Sequence, residues 1–238
     1  MATSLSAANR EALKKVSTAT LTTVLFKRGL RNVFIQGIFL LSANRAARMV
    51  GEAFTLRYIP AREDVDQLGA FEGRGHPQRE AIEACPPGQV LVMDARRDAS
   101  AATAGDILMT RLMVRGAAGI VTDGGLRDTP TIEKLDFPVY CAARSAPLNL
   151  VRHHAVDLQV PIGCGGVAVY PGDVLVGDAE GVVVIPAKLA DEVAKEAEAQ
   201  TQFEDWVEER VKEGRSIFGL YPPNAETKAE FEAWKKRR

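Results

Sequence analysis

Cysteine is scarce, aromatic residues make up only 6%, neither charge sign is in excess, and no apolar run is long. Each shortage removes a class of protein. Three widely spaced cysteines, Cys85, Cys141 and Cys164, supply neither a disulfide framework nor the paired spacing of a zinc knuckle. Thirty Lys and Arg against 31 Asp and Glu leave a formal charge of −1, which argues against polyanion binding as the main function. The one basic cluster, Lys235 to Arg238, reads as a solvated tail. The longest apolar run, Val33 to Leu41, is broken by Gln36 and Gly37 and is too short to cross a bilayer. The opening MATSLSAANREALKK has no apolar secretory core followed by a small-residue cleavage site. The expectation is a cytoplasmic protein with no nucleic-acid partner and no membrane partner.

What is present is an ordinary globular composition. Hydrophobic residues at 46% and charged residues at 26% of 238 residues allow a packed core. The content of residues 9–29 predicts a helix ending at Gly29, and MVGEAFTLRYIP predicts a strand. Residues 60–77 are rich in Gly, Pro and charge and read as a long loop, a kind of segment that is often functional or mobile. His76 lies in it and reads as solvated.

PPGQVLVMDAR predicts a short buried strand, followed by the small-residue loop DASAATAG, a helix over 107–116 and the strand GIVTDGG. That succession is a βαβ unit and makes the chain α/β. VPIGCGGVAVYPGDVLVGDAEGVVVIP predicts β-hairpins, and a charged amphipathic helix follows from about Pro186 to Glu213. Gly163, Gly165 and Gly166 precede a strand rather than opening a helix, so close packing in a sheet accounts for them better than a nucleotide loop. With no repeat and no Ser/Gly linker, residues 1–238 read as one domain.

Twenty residues separate Asp106, which opens the 107–116 helix, from Arg127 and Asp128, which follow the next strand. A helix of ten residues runs back about 15 Å and a strand of six returns about 20 Å, so the chain comes back near the level of Asp106. There, at the carboxyl ends of the strands, open α/β sheets bind ligands. The first helical amides, around Ile107 and Leu108, lack internal partners and suit an anion. Arg127 offers a planar fork of donors, and two carboxylates beside it suit a hard divalent ion that keeps several waters. A purely structural account also fits: Asp106 could favour the helix dipole or cap the helix, and Arg127 could simply pair with either acid. Asp128 or Thr129 could cap a helix beginning at Pro130.

The Asp, twenty intervening residues and Arg-Asp pair, within GD…RG…G.V.DG..RD, resemble the signature of the RraA-like family of class II pyruvate aldolases. VSTATL, VGEAFTLR, PPGQVLVMD and the long GCGG hairpin segment extend the similarity over roughly residues 15–215. The resemblance implies a compact α/β domain of the swivelling β/β/α type, assembled as homotrimers or hexamers with sites between subunits. It implies retro-aldol cleavage of a 4-hydroxy-2-oxo acid to pyruvate, with oxaloacetate decarboxylation as a side activity.

By the same resemblance Asp128 is the direct ligand of Mg²⁺ or Mn²⁺, and Arg127 steadies the enolate oxygen. Asp106 orients the water that takes the 4-hydroxyl proton, while Gly105 and the amides of Ile107 and Leu108 hold the pyruvyl carboxylate. Glu204, ten residues before Gly214, takes the place of a glutamate that relatives contribute from a neighbouring subunit; the alternative is a charge on a solvated acidic face. The chain also departs from the family: Thr22 and Thr23 stand where many relatives have an Asp, and the 60–77 loop and C-terminal tail look longer.

The implied partner is a small 2-oxo acid. Other family functions are ribonuclease E inhibition and lysis of sugar-acid-derived 2-oxo acids. A methyltransferase label also occurs in the family, but the sequence shows no strand–Gly-loop–helix suited to a methyl donor.

Overall fold

The computed structural model describes residues 5–237. Two helices open the chain, α1 (Ala7–Leu13) and α2 (Thr18–Lys27), where a single helix over 9–29 was expected. The break has a local cause. Ser17 adopts an extended backbone and its side chain accepts the Thr20 amide, so it starts a new helix instead of continuing the old one.

The strands β1 (Phe39–Leu40) and β2 (Met49–Pro60) precede α3 (Pro77–Ala84), with the expected long connection between β2 and α3. That connection contains one short 3₁₀ turn, Leu68–Phe71. Then come β3 (Val90–Asp94), β4 (Ala102–Ala104), α4 (Asp106–Val114), β5 (Gly119–Thr122) and β6 (Gly125–Leu126). The short helix α5 (Thr129–Ile132) leads to β7 (Val139–Cys141), β8 (Ala143–Arg144) and β9 (His153–Leu158). Two hairpins follow, β10 (Ile162–Cys164) with β11 (Val167–Val169) and β12 (Val174–Gly177) with β13 (Val182–Ile185). The helices α6 (Ala190–Lys212) and α7 (Ala225–Lys235) complete the described elements.

The main sheet has the order β1-β7-β5-β3-β2-β12-β13, with β9 also paired to β2. Strands β2, β3, β5 and β7 are parallel, as the βαβ reading requires. β2 pairs β3 along Ala53–Arg57 on one edge and β9 along Leu56–Pro60 on the other, with a bulge between Arg57 and Tyr58 in the β9 pairing. Strands β3, β5 and β7 are each followed by a short one, and these form a second parallel sheet, β4-β6-β8.

Met109 and Leu112 of α4 and Ala81 and Ile82 of α3 pack over Leu56, Leu91, Met93 and Ile120 of the sheet. Burying each large side chain contributes roughly 1.5–3 kcal/mol, which fixes α4 against the strands whose ends it must face. Elsewhere α1, α2 and α6 pack on β12 and β13 through Leu13, Leu21, Val193 and Ala197. The GCGG segment is a hairpin turn, with Gly165 and Gly166 at φ +53 and +80 between β10 and β11. Two positive φ angles in a two-residue loop demand glycine, and no helix follows to hold a phosphate.

Candidate active site

The spacing between Asp106 and Arg127 is closed by backbone pairing. Ala104 of β4 lies opposite Leu126 of β6, and the Arg127 amide donates to the Ala104 carbonyl at 3.1 Å. The chain leaving β4 therefore runs beside the chain leaving β6, and Gly105–Asp106 meets Arg127–Asp128. The approach leaves no room for a side chain at position 105. A Cβ there would lie 2.6 Å from Asp128 Oδ2 and 3.2 Å from Arg127 Nε.

Asp128 stands just before α5 in the left-handed region, at φ 55 and ψ 30, and makes no side-chain capping bond to that helix. Its Oδ2 instead faces Arg127 Nε at 3.3 Å, with the two side chains 43% and 46% exposed. An ion pair this open contributes at most about 1 kcal/mol, whereas a left-handed non-glycine residue costs on the order of 1 kcal/mol or more. Stability alone gives little reason for the arrangement. Asp106 is the first residue of α4, and its Oδ1 accepts the Ile107 amide at 2.8 Å. That amide, expected to face the substrate carboxylate, is thus already engaged, while the Leu108 amide belongs to the same open first turn.

Asp106, Arg127 and Asp128 line one cleft of about 350 Å³ with Gly105, Ile107 and Leu108. No group of three or more His, Cys, Asp or Glu able to hold a metal occurs among the described residues. Two carboxylates beside an arginine are a donor set for a hard cation that keeps most of its water, and the pair present here fits Mg²⁺ or Mn²⁺ in that mode.

Five residues before Asp128, Asp123 shows the contrast. It is buried and accepts the amides of Ala95, Arg97 and Gly165 at 2.7, 3.1 and 3.0 Å. Burial raises its pKa, with those hydrogen bonds acting in the opposite sense. It ties three loops together and does not line the cleft.

Glu204 stands apart from the cleft within its own chain. It accepts hydrogen bonds from Thr20 Oγ1 at 2.7 Å, Gln200 Nε2 at 2.9 Å and Tyr221 OH at 3.2 Å. The STAT segment therefore meets this glutamate, whereas the Thr22 and Thr23 hydroxyls turn back to the Ala19 carbonyl.

The RraA-like family model, described as Aldolase/RraA, matches residues 18–184. The chain belongs to the RraA-like family. A Halalkalibacterium halodurans protein named "Putative 4-hydroxy-4-methyl-2-oxoglutarate aldolase" is 38% identical over 131 residues, 55% of this chain. That match spans only 61% of the relative's own length. A crystal structure of an uncharacterized Pseudomonas syringae pv. tomato protein superposes with a TM-score of 0.81 at 27% identity, covering 93% of this chain and 96% of that one. Streptomyces coelicolor RraAS2, described as an unusual member of the RNase ES inhibitor RraA protein family, gives 0.75 at 30% identity, covering 86% and 97%. The mixed α/β architecture with its curled sheet is the RraA-like fold.

Several cleft residues of this RraA-like protein escape a reading of the sequence. Leu68 and Phe71 reach the cleft from the 60–77 loop, Gln78 and Arg79 from the first turn of α3, and Leu148 and Asn149 from the approach to β9. The loop's length was the only signal for any of them. His76 is corrected as well: its ring packs on Phe71 at 4.8 Å and its Nδ1 is buried, where a solvated side chain was expected. Burial lowers its pKa.

Proposed function

We propose that this RraA-like protein is a divalent-metal-dependent lyase that cleaves a 4-hydroxy-2-oxo acid to pyruvate and a second carbonyl compound. The observation that carries the reading is the uncapped, left-handed Asp128 held beside Arg127 and Asp106 in one cleft. In the retro-aldol step the C3–C4 bond breaks and its electron pair forms the pyruvate enolate. The 4-hydroxyl loses its proton, and protonation at C3 completes pyruvate. Arg127 donates to the enolate oxygen, where negative charge develops. Asp106 orients the water that takes the 4-hydroxyl proton. With the Ile107 amide bonded to Asp106, the Leu108 amide and the backbone at Gly105 receive the pyruvyl carboxylate. Mg²⁺ or Mn²⁺ held by Asp128 would supply Lewis-acid polarisation of the 2-oxo acid.

Oxaloacetate decarboxylation passes through the same pyruvate enolate and belongs with this reading as a side activity. The assembly is proposed to be a homotrimer or hexamer in which Glu204 of one subunit serves a neighbour's cleft. Mixing inactive Glu204→Gln and Asp128→Asn subunits then restores activity once exchange has been shown by mass.

The deciding experiment is a screen for pyruvate release over 2-oxo acids with Mg²⁺, Mn²⁺ or chelator. Release that needs the metal and disappears in Asp128→Asn supports the reading, and no release from any 2-oxo acid overturns it. The likeness to RraAS2 favours a second reading, a regulator that binds a ribonuclease. Inhibition of an RNase E-type enzyme that survives Asp128→Asn would establish that role independently of the cleft.

A further inference from the structure

One wall of the cleft stands on a segment that little else holds. Residues 61–76 enter with the Ala61 amide on the Arg152 carbonyl and end where the His76 carbonyl accepts the Glu80 amide. Between those points, among the described residues, no backbone hydrogen bond ties the segment to another element. The amides of Val65, Asp66, Gln67, Ala70 and Glu72 all bond to carbonyls within it. No residue of the segment is buried as a whole. Few buried contacts and locally closed hydrogen bonds mark a region that moves without unfolding its neighbours.

Side chains hold it instead. The Phe71 ring meets the Arg79 guanidinium at 4.5 Å and the His76 ring at 4.8 Å. Asp66 Oδ1 meets His154 Nδ1 of β9 at 2.7 Å, and Glu80 Oε1 accepts the Gly75 amide at 3.1 Å. Gly73 and Gly75 stand at φ +74 and +103 with open space where a side chain would be, so this end can swing without meeting a neighbour. Leu68, between Asp66 and Phe71, lines the cleft yet is 73% exposed, and Ile107 at the start of α4 lines it at 79%. Two large apolar side chains thus face one cleft, and neither covers the other. Bringing them together removes both from water, which favours closure.

We propose that residues 61–76 form a lid that closes the cleft by carrying Leu68 onto Ile107. Gly73 and Gly75 are its hinge, and the Asp66–His154 pair is its second fixed point. Phe71, held by ring contacts rather than hydrogen bonds, slides on Arg79 and His76 as the lid moves. Closing expels water from the space beside Arg127 and Asp128. That use of the lid rests on the aldolase reading, in which Arg127 acts more strongly on the enolate once water is displaced. The closure itself rests on the segment and the two exposed side chains alone.

A disulfide that only the closed lid can form tests this. In the double variant Leu68→Cys/Ile107→Cys the two Cα atoms must come within about 4.4–6.8 Å to be bridged. Cys85, Cys141 and Cys164 are fully buried, so a mild oxidant meets only the new pair. The expected product is a disulfide within one chain, read by peptide mass, with neither single variant crosslinking. No disulfide in a folded double variant overturns the inference. So does a disulfide between two chains, which would make the rim a contact between copies. In wild type, the amides of residues 62–75 are expected to exchange with solvent at least about 100-fold faster than those of β2 and α3. Protection equal to that of α3 overturns the lid even where the double variant does not fold. Pyruvate release by the oxidised double variant is expected to fall at least about tenfold below that of the same variant after reduction. Equal, nonzero rates overturn the lid as a gate. A disulfide that forms as expected, in a protein whose wild type releases pyruvate from no 2-oxo acid, leaves the lid standing and defeats the aldolase reading instead.

Discussion

Asp123 and Asp128 stand five residues apart, on either side of β6, and are treated in opposite ways. Asp123 is buried, spends its oxygens on three backbone amides and belongs to the framework. Asp128 is open, caps nothing, and sits in a backbone conformation that its surroundings must enforce. The same division separates Asp178 from Asp106. Asp178 is buried against the Thr18 amide and hydroxyl and the Arg48 guanidinium, whereas Asp106 faces the cleft with only the adjacent amide on Oδ1. A carboxylate fully engaged by the protein holds the protein together. One left partly unengaged beside an arginine is available to a ligand.

The sharpest way to break this division is Arg127→Lys. Lysine keeps the charge and loses the planar fork, and removing one transition-state donor costs about 3–4 kcal/mol. Turnover is expected to fall by two to three orders of magnitude, with the unfolding midpoint unchanged. Turnover within threefold of wild type would move Arg127 to the framework side.

Asp106→Asn sharpens the comparison inside the cleft. Retro-aldol cleavage needs a base for the 4-hydroxyl proton, worth roughly 10²-fold or more, and loss of CO₂ from oxaloacetate needs none. The variant is expected to lose about 10²-fold in aldol cleavage while keeping most of its decarboxylation. Equal losses would remove Asp106 from proton transfer.

Asp123→Ala tests the framework side. It leaves the amides of Ala95, Arg97 and Gly165 without their acceptor, and an unsatisfied buried group costs about 1–3 kcal/mol. The expected result in a denaturant titration is a destabilisation of about 2–3 kcal/mol. A variant as stable as wild type would show that the buried carboxylate does not tie the loops together.

The part of this division that was legible in the sequence was the part fixed by local rules. Strand and helix lengths were enough to return Arg127 to Asp106, because the βαβ geometry allows few alternatives, and the β4–β6 pairing realised it. The break between α1 and α2 was not seen, since the apolar spacing runs on across Ser17 and only the serine's own hydrogen bond stops it. Arg79 and Asn149 were invisible for a different reason. They are 70 residues apart in sequence, and what brings both to the cleft is the packing of α3 on the sheet and the antiparallel pairing of β9 with the end of β2. No periodicity encodes that meeting.

The smallest predicted effect distinguishes the two framework acids from each other. Burial raises the pKa of Asp123, its amide donors only partly oppose this, and nearby Asp94 adds to it. At Asp178 burial acts in the same direction but is outweighed by the Thr18 and Glu180 hydrogen bonds and by Arg48, so its pKa is lowered. The linkage signs are therefore opposite. For Asp178 the folded value lies below the unfolded value of about 3.9, so its stabilisation is present above that pH and is lost as pH falls through the folded value. For Asp123 the folded state holds its proton more tightly than the unfolded one. Stability therefore falls as pH rises from about 3.9 through the folded value. Replacing each with asparagine removes its own titration. The cost of Asp178→Asn should be larger at pH 7 than at pH 3, and the cost of Asp123→Asn should be smaller at pH 7 than at pH 3. Denaturant titrations of wild type and both variants at the two pH values read this directly. Two costs that change with pH in the same direction would show that Arg48 and the Thr18 hydroxyl do not set Asp178 apart.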